Sequence, residues 1–330
     1  MSEVLAARRV MACNDAALLA AGVRMTEVDG TEDGAFPSRP VRVIDPFGAG
    51  GGPDIIGRAV AARLSAMWEQ PVIVENHTGA GSTAAPALVA KAPADGYTLL
   101  INTSAHAYSA AVSSALSYDP LLDFIPVAAL TSQPYVLVAG ARSGITSIRD
   151  LLAVAEASPG NLRFASAGTG TGTHIAVEKL NRDLRITAVH TPPEAADSMS
   201  DVVAATAAGR TAYTMSPISF AAPHLRDGGL VALGVSTLRR SQLLPEVPSL
   251  AEVGAAGFDF PIWYGIWAPA RTPFAIVGKL AGDIANVLAA AELVDWLIRH
   301  DAEPLRITQP EFAAFVSSES ERAALLLSSG

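Results

Sequence analysis

Residues 41–64 read VRVIDPFGAGGGPDIIGRAVAARL. An apolar run stops at Pro46, and five of the six residues after Phe47 are glycine or alanine. Asp54 then opens a helical pattern, and Pro53 suits a first helical position. The stretch predicts a strand, a turn rich in bare backbone, and a helix. Glycine has no Cβ, so the amides of such a turn can approach a ligand closely. The helix directs its partly positive N-terminus at the turn, and such an end binds anions, carboxylates included, without Lys or Arg. The turn holds no basic residue, so an anion there would be held by backbone donors. A tight connection with no ligand is the competing reading.

The same alternation continues after Pro40. Strands are expected at 41–45, 71–75, 97–102, 134–139, 162–166, 186–190, 211–215, 230–236 and 262–268. Helices are expected at 54–67, 82–91, 147–157, 173–182, 197–207, 274–290 and 310–325. Short apolar runs alternating with longer helices build βαβ units and parallel sheets. Nine strands are many for one sheet, so two α/β lobes are expected. Ligands of open α/β sheets bind at the C-terminal edge of the strands.

Two further loops follow apolar strands. SAGTGTGTH, 166–174, offers the hydroxyls of Ser166, Thr169, Thr171 and Thr173 and the amides of Gly168, Gly170 and Gly172. His174 falls in the first turn of the next helix, where it reads as a packed or capping histidine as readily as a ligand contact. NTSAHAYS, 102–109, reads as a third polar loop with Thr103, Ser104 and His106 as candidate contacts, or as an ordinary polar connection. Trp263, Tyr264 and Trp267 recur at a spacing of three to four within an expected strand. They read as packing at a domain interface, with closure of a cleft as the functional alternative.

Composition narrows the classes. The chain has 330 residues, half of them hydrophobic, enough for two domains and a sizeable core. A net charge of −9 with 23 Lys and Arg argues against nucleic acid, which needs a basic patch. Cys13 is the sole cysteine, so no intramolecular disulfide and no cysteine-based metal site can form. The histidines lack H-x-x-x-H or HExxH spacing, and no metal site is expected. No apolar run reaches 18 residues, so no transmembrane helix is expected. A Walker loop is excluded, because no G-K-[ST] follows the glycines. A nicotinamide site keeps weak support from Gly48 to Pro53, which ends in proline where the fingerprint has glycine, and from Glu75 at the end of the second strand. A serine hydrolase is disfavoured, since Phe164-Ala165-Ser166-Ala167-Gly168 lacks the first glycine of a nucleophile elbow.

Residues 1–36 are expected to form a poorly ordered or atypical N-terminal segment. An export signal needs an uninterrupted apolar region after a basic start. Here Arg8 and Arg9 precede VMACNDAALLAAGV, which Asn14 and Asp15 interrupt.

PFGAGGGPDIIGR, PVIVENHTGAGS, ADGYTLL, SYDPLLDFIPVA, FASAGTGTGTH, LLPEVPSLAEVG and WYGIWAPARTP follow one another in this chain. In that order they resemble the Bug-type substrate-binding proteins of tripartite tricarboxylate transporters, from about Pro37 to near the C-terminus. The resemblance implies a type II periplasmic-binding-protein fold, α/β, with two lobes of mainly parallel sheets joined by two crossing hinge strands. It places lobe 1 at 37–139 plus 258–330 and lobe 2 at 140–257. It implies a monomeric, non-catalytic protein with no cofactor and no membrane insertion. Such a protein captures a dicarboxylate, tricarboxylate or aromatic acid between the lobes and delivers it to membrane components of the transporter. A carboxylate would be held by backbone amides and waters at Phe47 to Gly52 and at Ser166 to Thr173. The candidate ligand contacts are therefore Phe47, Gly48, Ala49, Gly50, Gly51, Thr103, Ser104, His106, Ser166, Gly168, Thr169, Thr171 and Thr214. A periplasmic location is implied, with a cytoplasmic carboxylate sensor on the same fold as the alternative.

Two segments depart from the family pattern. His190-Thr191-Pro192-Pro193-Glu194-Ala195 stands where H-V-P-Y-K-G is common, and Thr214-Met215-Ser216 stands where Phe-Asp-Asn is usual. The missing aspartate removes the partner of a ligand ammonium, which argues against an amino acid.

Overall fold

Val41, Val43 and Ile44 are buried, and their strand β1 (Val41–Asp45) takes a parallel neighbour on each side. Those neighbours are β2 (Val72–Asn76) and β3 (Thr98–Thr103), connected through helices α1 (Gly52–Trp68) and α2 (Ala84–Ala90). A strand covered on both faces reads as a continuous apolar run, which is why VRVID and TLLIN stand out in the sequence. The structure, a computed structural model, describes residues 36–79, 82–112, 116–192 and 199–327.

After β3 come α3 (Ala105–Val112) and the long strand β4 (Phe124–Gln133). The chain then passes through Pro134 into a second sheet, beginning with β5 (Tyr135–Gly140). The second sheet is completed by β6 (Leu162–Ala165), β7 (Ala188–His190), β8 (Tyr213–Pro217) and β9 (Leu230–Val235). Helices α4 (Ile148–Ala157), α5 (Gly172–Leu184), α6 (Met199–Ala207) and α7 (Ile218–Arg226) alternate with these strands. The chain returns to the first sheet as β10 (Ile262–Pro269), followed by α8 (Phe274–Ala289), α9 (Ala291–Arg299), β11 (Glu303–Pro304) and α10 (Gln309–Leu327).

The strand orders are β11-β4-β10-β3-β1-β2 and β7-β6-β8-β5-β9. Two α/β lobes are therefore present, but the sheets are mixed where mainly parallel ones were expected. The βαβ units give parallel pairs, whereas the strands that carry the chain between lobes, β4, β5, β9 and β10, add antiparallel ones. Two strands and three helices escaped the sequence reading. Strand β4 contains Pro126 and ends in Thr131, Ser132 and Gln133, which break its apolar pattern; β11 has two residues. Helix α7 contains Pro223, and α9 follows α8 after the single residue Ala290. Helix α3 occupies the segment expected to be a polar loop, because its polar letters are used inside the protein: Ser104 and His106 are buried.

The sheets exchange at Pro134, between β4 and β5. Ser236 fastens the outgoing and returning chains to each other. Its Oγ accepts from Tyr135 N at 2.9 Å and donates to Phe260 O at 2.8 Å, and its amide donates to Tyr135 O at 2.9 Å. Helix α10 packs Phe312 against Trp263 and Trp267, with ring centroids 5.9 and 5.5 Å away. It also accepts from Arg182 of α5 at Leu326 O, so it touches both lobes. Among the described residues no single helix is long and apolar enough to cross a membrane.

Candidate functional site

The first loop is held from below by side chains that occupy part of its backbone. Asp45 Oδ1 accepts from Phe47 N at 2.9 Å, and Asp54 Oδ2 accepts from Gly50 N at 2.9 Å. Gly51 N reaches Gly48 O at 3.2 Å. Asn76 Nδ2 lies 3.2 Å from Asp45 Oδ2, 3.0 Å from Asp54 Oδ1 and 3.0 Å from Phe47 O, which ties the loop to the end of β2. Burial would raise the Asp54 carboxyl, but Arg58, the Gly50 amide and Asn76 together hold it below its ordinary range. The amides of Gly48, Ala49 and Gly52 make no hydrogen bond among the described residues. Gly48 and Ala49 are exposed, and Gly52 begins α1.

The second loop follows the same plan. Ala167 N donates to Thr173 Oγ1 at 3.1 Å, Gly168 N to Ser166 Oγ at 3.1 Å, and Gly170 N to His174 Nδ1 at 3.2 Å. Thr171 caps α5 by accepting from His174 N. The amides of Thr169, Gly172 and Thr173 make no hydrogen bond among the described residues. Ser166 Oγ lies 2.7 Å from His190 Nε2, and the His190 ring packs on Phe164 and His174 with centroids 4.9 and 4.3 Å away. Burial, then the neighbouring His190, pushes His174 down to about 4, so the ring is neutral near pH 7. Because Nδ1 accepts from Gly170, the neutral ring carries its hydrogen on Nε2, 3.6 Å from Glu178 Oε1.

Two tyrosines on the crossing strands form the floor between these loops. A Cβ built on Gly52 would lie 2.2 Å from Tyr264 Oη, and one on Gly172 would lie 2.5 Å from Tyr135 Oη and 3.4 Å from Ser104 Oγ. Only glycine allows the first turns of α1 and α5 to rest on those hydroxyls. Tyr264 also pairs with Thr103 across β10 and β3, and Thr103 Oγ1 accepts from Ala105 N at the start of α3. Three helices therefore begin at one end of the strands, around two phenols. Ser104 Oγ is fully buried there, beside the Tyr108 and Tyr135 hydroxyls but not in hydrogen-bonding geometry with them.

The candidate contacts divide accordingly. Phe47, Gly48, Ala49, Gly50 and Gly51 share the first loop, with Gly50 and Gly51 turned inward through their amides. Ser166, Gly168, Thr169 and Thr171 share the second, where Ser166 and Thr171 are engaged in shaping it. Thr103 caps α3, and Ser104 sits at the lobe contact. His106 faces elsewhere. Its ring is buried against Tyr118, Phe124 and Trp267, and burial pushes it down to about 3. Thr214 is buried in β8 and donates to Ala165 O at 2.8 Å, so its hydroxyl braces the strand that precedes the second loop. Of the departing segments, 214–216 lies within β8, and residues 193–195 lie outside the described residues. The sequence reading named Gly52 among the amides of the first loop but missed Asp45, Asn76, Tyr135 and Tyr264. Tyr264 was visible only as part of an aromatic cluster, and Tyr135 only as a strand residue. Among the described residues no group of three His, Cys, Asp or Glu side chains could hold a metal ion.

The model of the tripartite tricarboxylate transporter family receptor matches residues 56–329. Protein BugT of Bordetella pertussis is 31% identical over 294 residues, covering 87% of this chain and 88% of its own. The structure of MatC from Rhodopseudomonas palustris with bound malate is 31% identical with a TM-score of 0.76, covering 88% of this chain and 99% of that one. The structure of R. palustris Rpa4515 with adipate is 29% identical with a TM-score of 0.79, covering 88% and 97%. Two glycine-rich loops at helix N-termini thus accompany a match over most of the chain, and the chain belongs to the tripartite tricarboxylate transporter receptor family of solute-binding proteins.

Proposed function

We propose that the chain captures a small carboxylate between its lobes, outside the cytoplasm, for delivery to the membrane components of a tripartite transporter. One observation carries the reading. Unengaged amides at Gly48, Ala49 and Gly52 and at Thr169, Gly172 and Thr173 lie at the N-termini of α1 and α5, in loops without Lys or Arg. Amides aimed from a helix start hold a carboxylate by charge-assisted hydrogen bonds and the helix dipole. A ligand that touches both loops binds the closed arrangement better than an open one, and so shifts the population toward closure. The malate and adipate bound in the two related structures support a dicarboxylate. The protein acts as a carrier, not a catalyst. Ser166 and His190 form a hydrogen-bonded pair, but Ser166 is fully buried and shapes its loop through Gly168, so it is not placed to attack a substrate.

A calorimetric and thermal-shift screen of malate, adipate, citrate, benzoate and glutamate tests the reading. A ligand that binds only the folded state adds about 2.7 kcal/mol at 100 times its Kd. Stabilisation by one or more of the acids lacking an ammonium, with none by glutamate, is expected. No stabilisation by any of them would refute it.

A further inference from the structure

We propose that the first loop binds a proton together with its anion, and that the proton goes to the carboxyl of Asp45. This rests on the carboxylate reading above and adds a co-ligand to it. Asp45 is fully buried beneath the loop. Its two oxygens meet only neutral donors, Phe47 N at 2.9 Å and Asn76 Nδ2 at 3.2 Å. The same Asn76 nitrogen lies 3.0 Å from Asp54 Oδ1, so one amide bridges two carboxylates. The neighbouring cation is Arg58 of α1, and it is directed elsewhere. Its Nε donates to Asp54 Oδ1 at 2.8 Å and its Nη2 to Asn76 Oδ1 at 2.9 Å. From β10 the Tyr264 phenol faces Asp45 and offers no charge near neutral pH, since burial and then Asp45 itself push it up. On the other face of β1 and β2, Glu75 is paired with Arg42 at 2.7 Å and with His77 at 3.2 Å. The ground under the loop thus carries two carboxylates and one guanidinium.

An anion on the amides of Gly48, Ala49 and Gly52 brings a further negative charge to this loop. Burial already raises Asp45 to about 7, and Asp54 adds to that, against the Phe47 amide and Arg58. The new charge makes the ionised form costlier still, because like charges are weakly screened in a buried site. By linkage, whatever raises proton affinity when the ligand binds raises ligand affinity when the proton binds. The protein therefore takes up a proton with its ligand around and above neutral pH. Its grip on the ligand loosens as the pH rises.

The test is calorimetric titration of the full chain with malate and with adipate, at about pH 6, pH 7 and pH 8.5, in paired buffers of different ionisation enthalpy. Both acids are fully ionised at the upper two values, so a proton taken up there goes to the complex and not to the free ligand. The expected result is net proton uptake at the upper two values and a Kd that weakens by up to about tenfold per pH unit above about 7. Asp45→Asn should abolish both. Binding by the native chain without proton exchange overturns the inference and leaves the carboxylate reading standing. Uptake that persists in Asp45→Asn overturns the assignment to Asp45. If that variant does not fold, the native buffer comparison still decides. No binding of either acid at any pH overturns the carboxylate reading, and the inference falls with it.

Discussion

Gly52→Ala tests how the two loops are seated. The new Cβ would stand 2.2 Å from Tyr264 Oη and 2.9 Å from its Cζ. Tyr264 is buried in β10, whose backbone is hydrogen-bonded to β3 on one side and β4 on the other, so its ring sits in packed surroundings on a fixed strand. Relief must come from moving the first turn of α1. Overpacking a dense site costs about 1–3 kcal/mol, and a contact against a fixed ring belongs in the upper half of that range. At about 1.5 °C per kcal/mol for a chain of 330 residues, the melting temperature should fall by roughly 3–5 °C. The same shift of α1 moves the Gly52 amide, so affinity for malate or adipate should fall as well. Tyr264→Phe removes the hydroxyl that makes the closest approach, and the double variant should recover about half of the loss or more, as expected for residues in direct contact. Thermal melts followed by circular dichroism, with calorimetric Kd values, read both effects. A Gly52→Ala protein that melts like the native one, or a Tyr264→Phe change that restores nothing, would refute the seating of α1 on the tyrosine.

Gly172→Ala sets a Cβ 2.5 Å from Tyr135 Oη and 3.4 Å from Ser104 Oγ, where α5 meets the first lobe. It should weaken ligand binding by about tenfold or more, equivalent to about 1.4 kcal/mol, and calorimetry with malate and adipate checks this. Glu319 is buried in α10 and accepts from Tyr108 Oη at 2.9 Å and Trp263 Nε1 at 3.3 Å. Glu319→Ala orphans those donors at about 1–3 kcal/mol each, so a clear drop in melting temperature is expected, with Glu319→Gln losing less. His174, held near 4, binds fewer protons folded than unfolded. Its contribution, up to about 3 kcal/mol, is complete above about pH 6.5 and is lost as the pH falls toward about 4. His174→Gln should therefore flatten the stability profile in that window. Asp45 has the opposite sign, since its folded value of about 7 is raised. Its share is complete below about pH 4 and is lost as the pH rises through 7, so Asp45→Asn should raise the melting temperature at about pH 8 and change it least near pH 4.

The parts of the fold that were legible are those in which one physical demand acts on a whole segment. Strand β1 is buried on both faces, and every position from Val41 to Ile44 except Arg42 reports it. Strand β4 answers to several demands at once. Pro126 accepts a hydrogen bond from Gln309, Thr131 is buried, and Gln133 reaches His300 O, so no single period survives along it. Helix α3 was misread because Thr103, Ser104 and His106 look like a solvated loop until the aromatic shell of Tyr118, Phe124 and Trp267 is in place.

The site shows the same division at finer scale. Gly48 to Gly52 advertise accessible backbone, and that much is local. Which amides remain for a ligand is decided by side chains that reach back into the loop: Asp45 takes Phe47 N, Asp54 takes Gly50 N, and His174 takes Gly170 N. All three lie outside the glycine runs, and Ser166 depends on His190 at the end of a neighbouring strand. The tyrosines under Gly52 and Gly172 went unrecognised because an aromatic ring with a polar tip reads first as core. In a site built from backbone donors, the glycines are permissive and the residues that occupy the other amides are selective. A change of ligand in this chain is therefore more readily produced at Asp45, Asp54, Ser166 and His174 than at the glycines themselves.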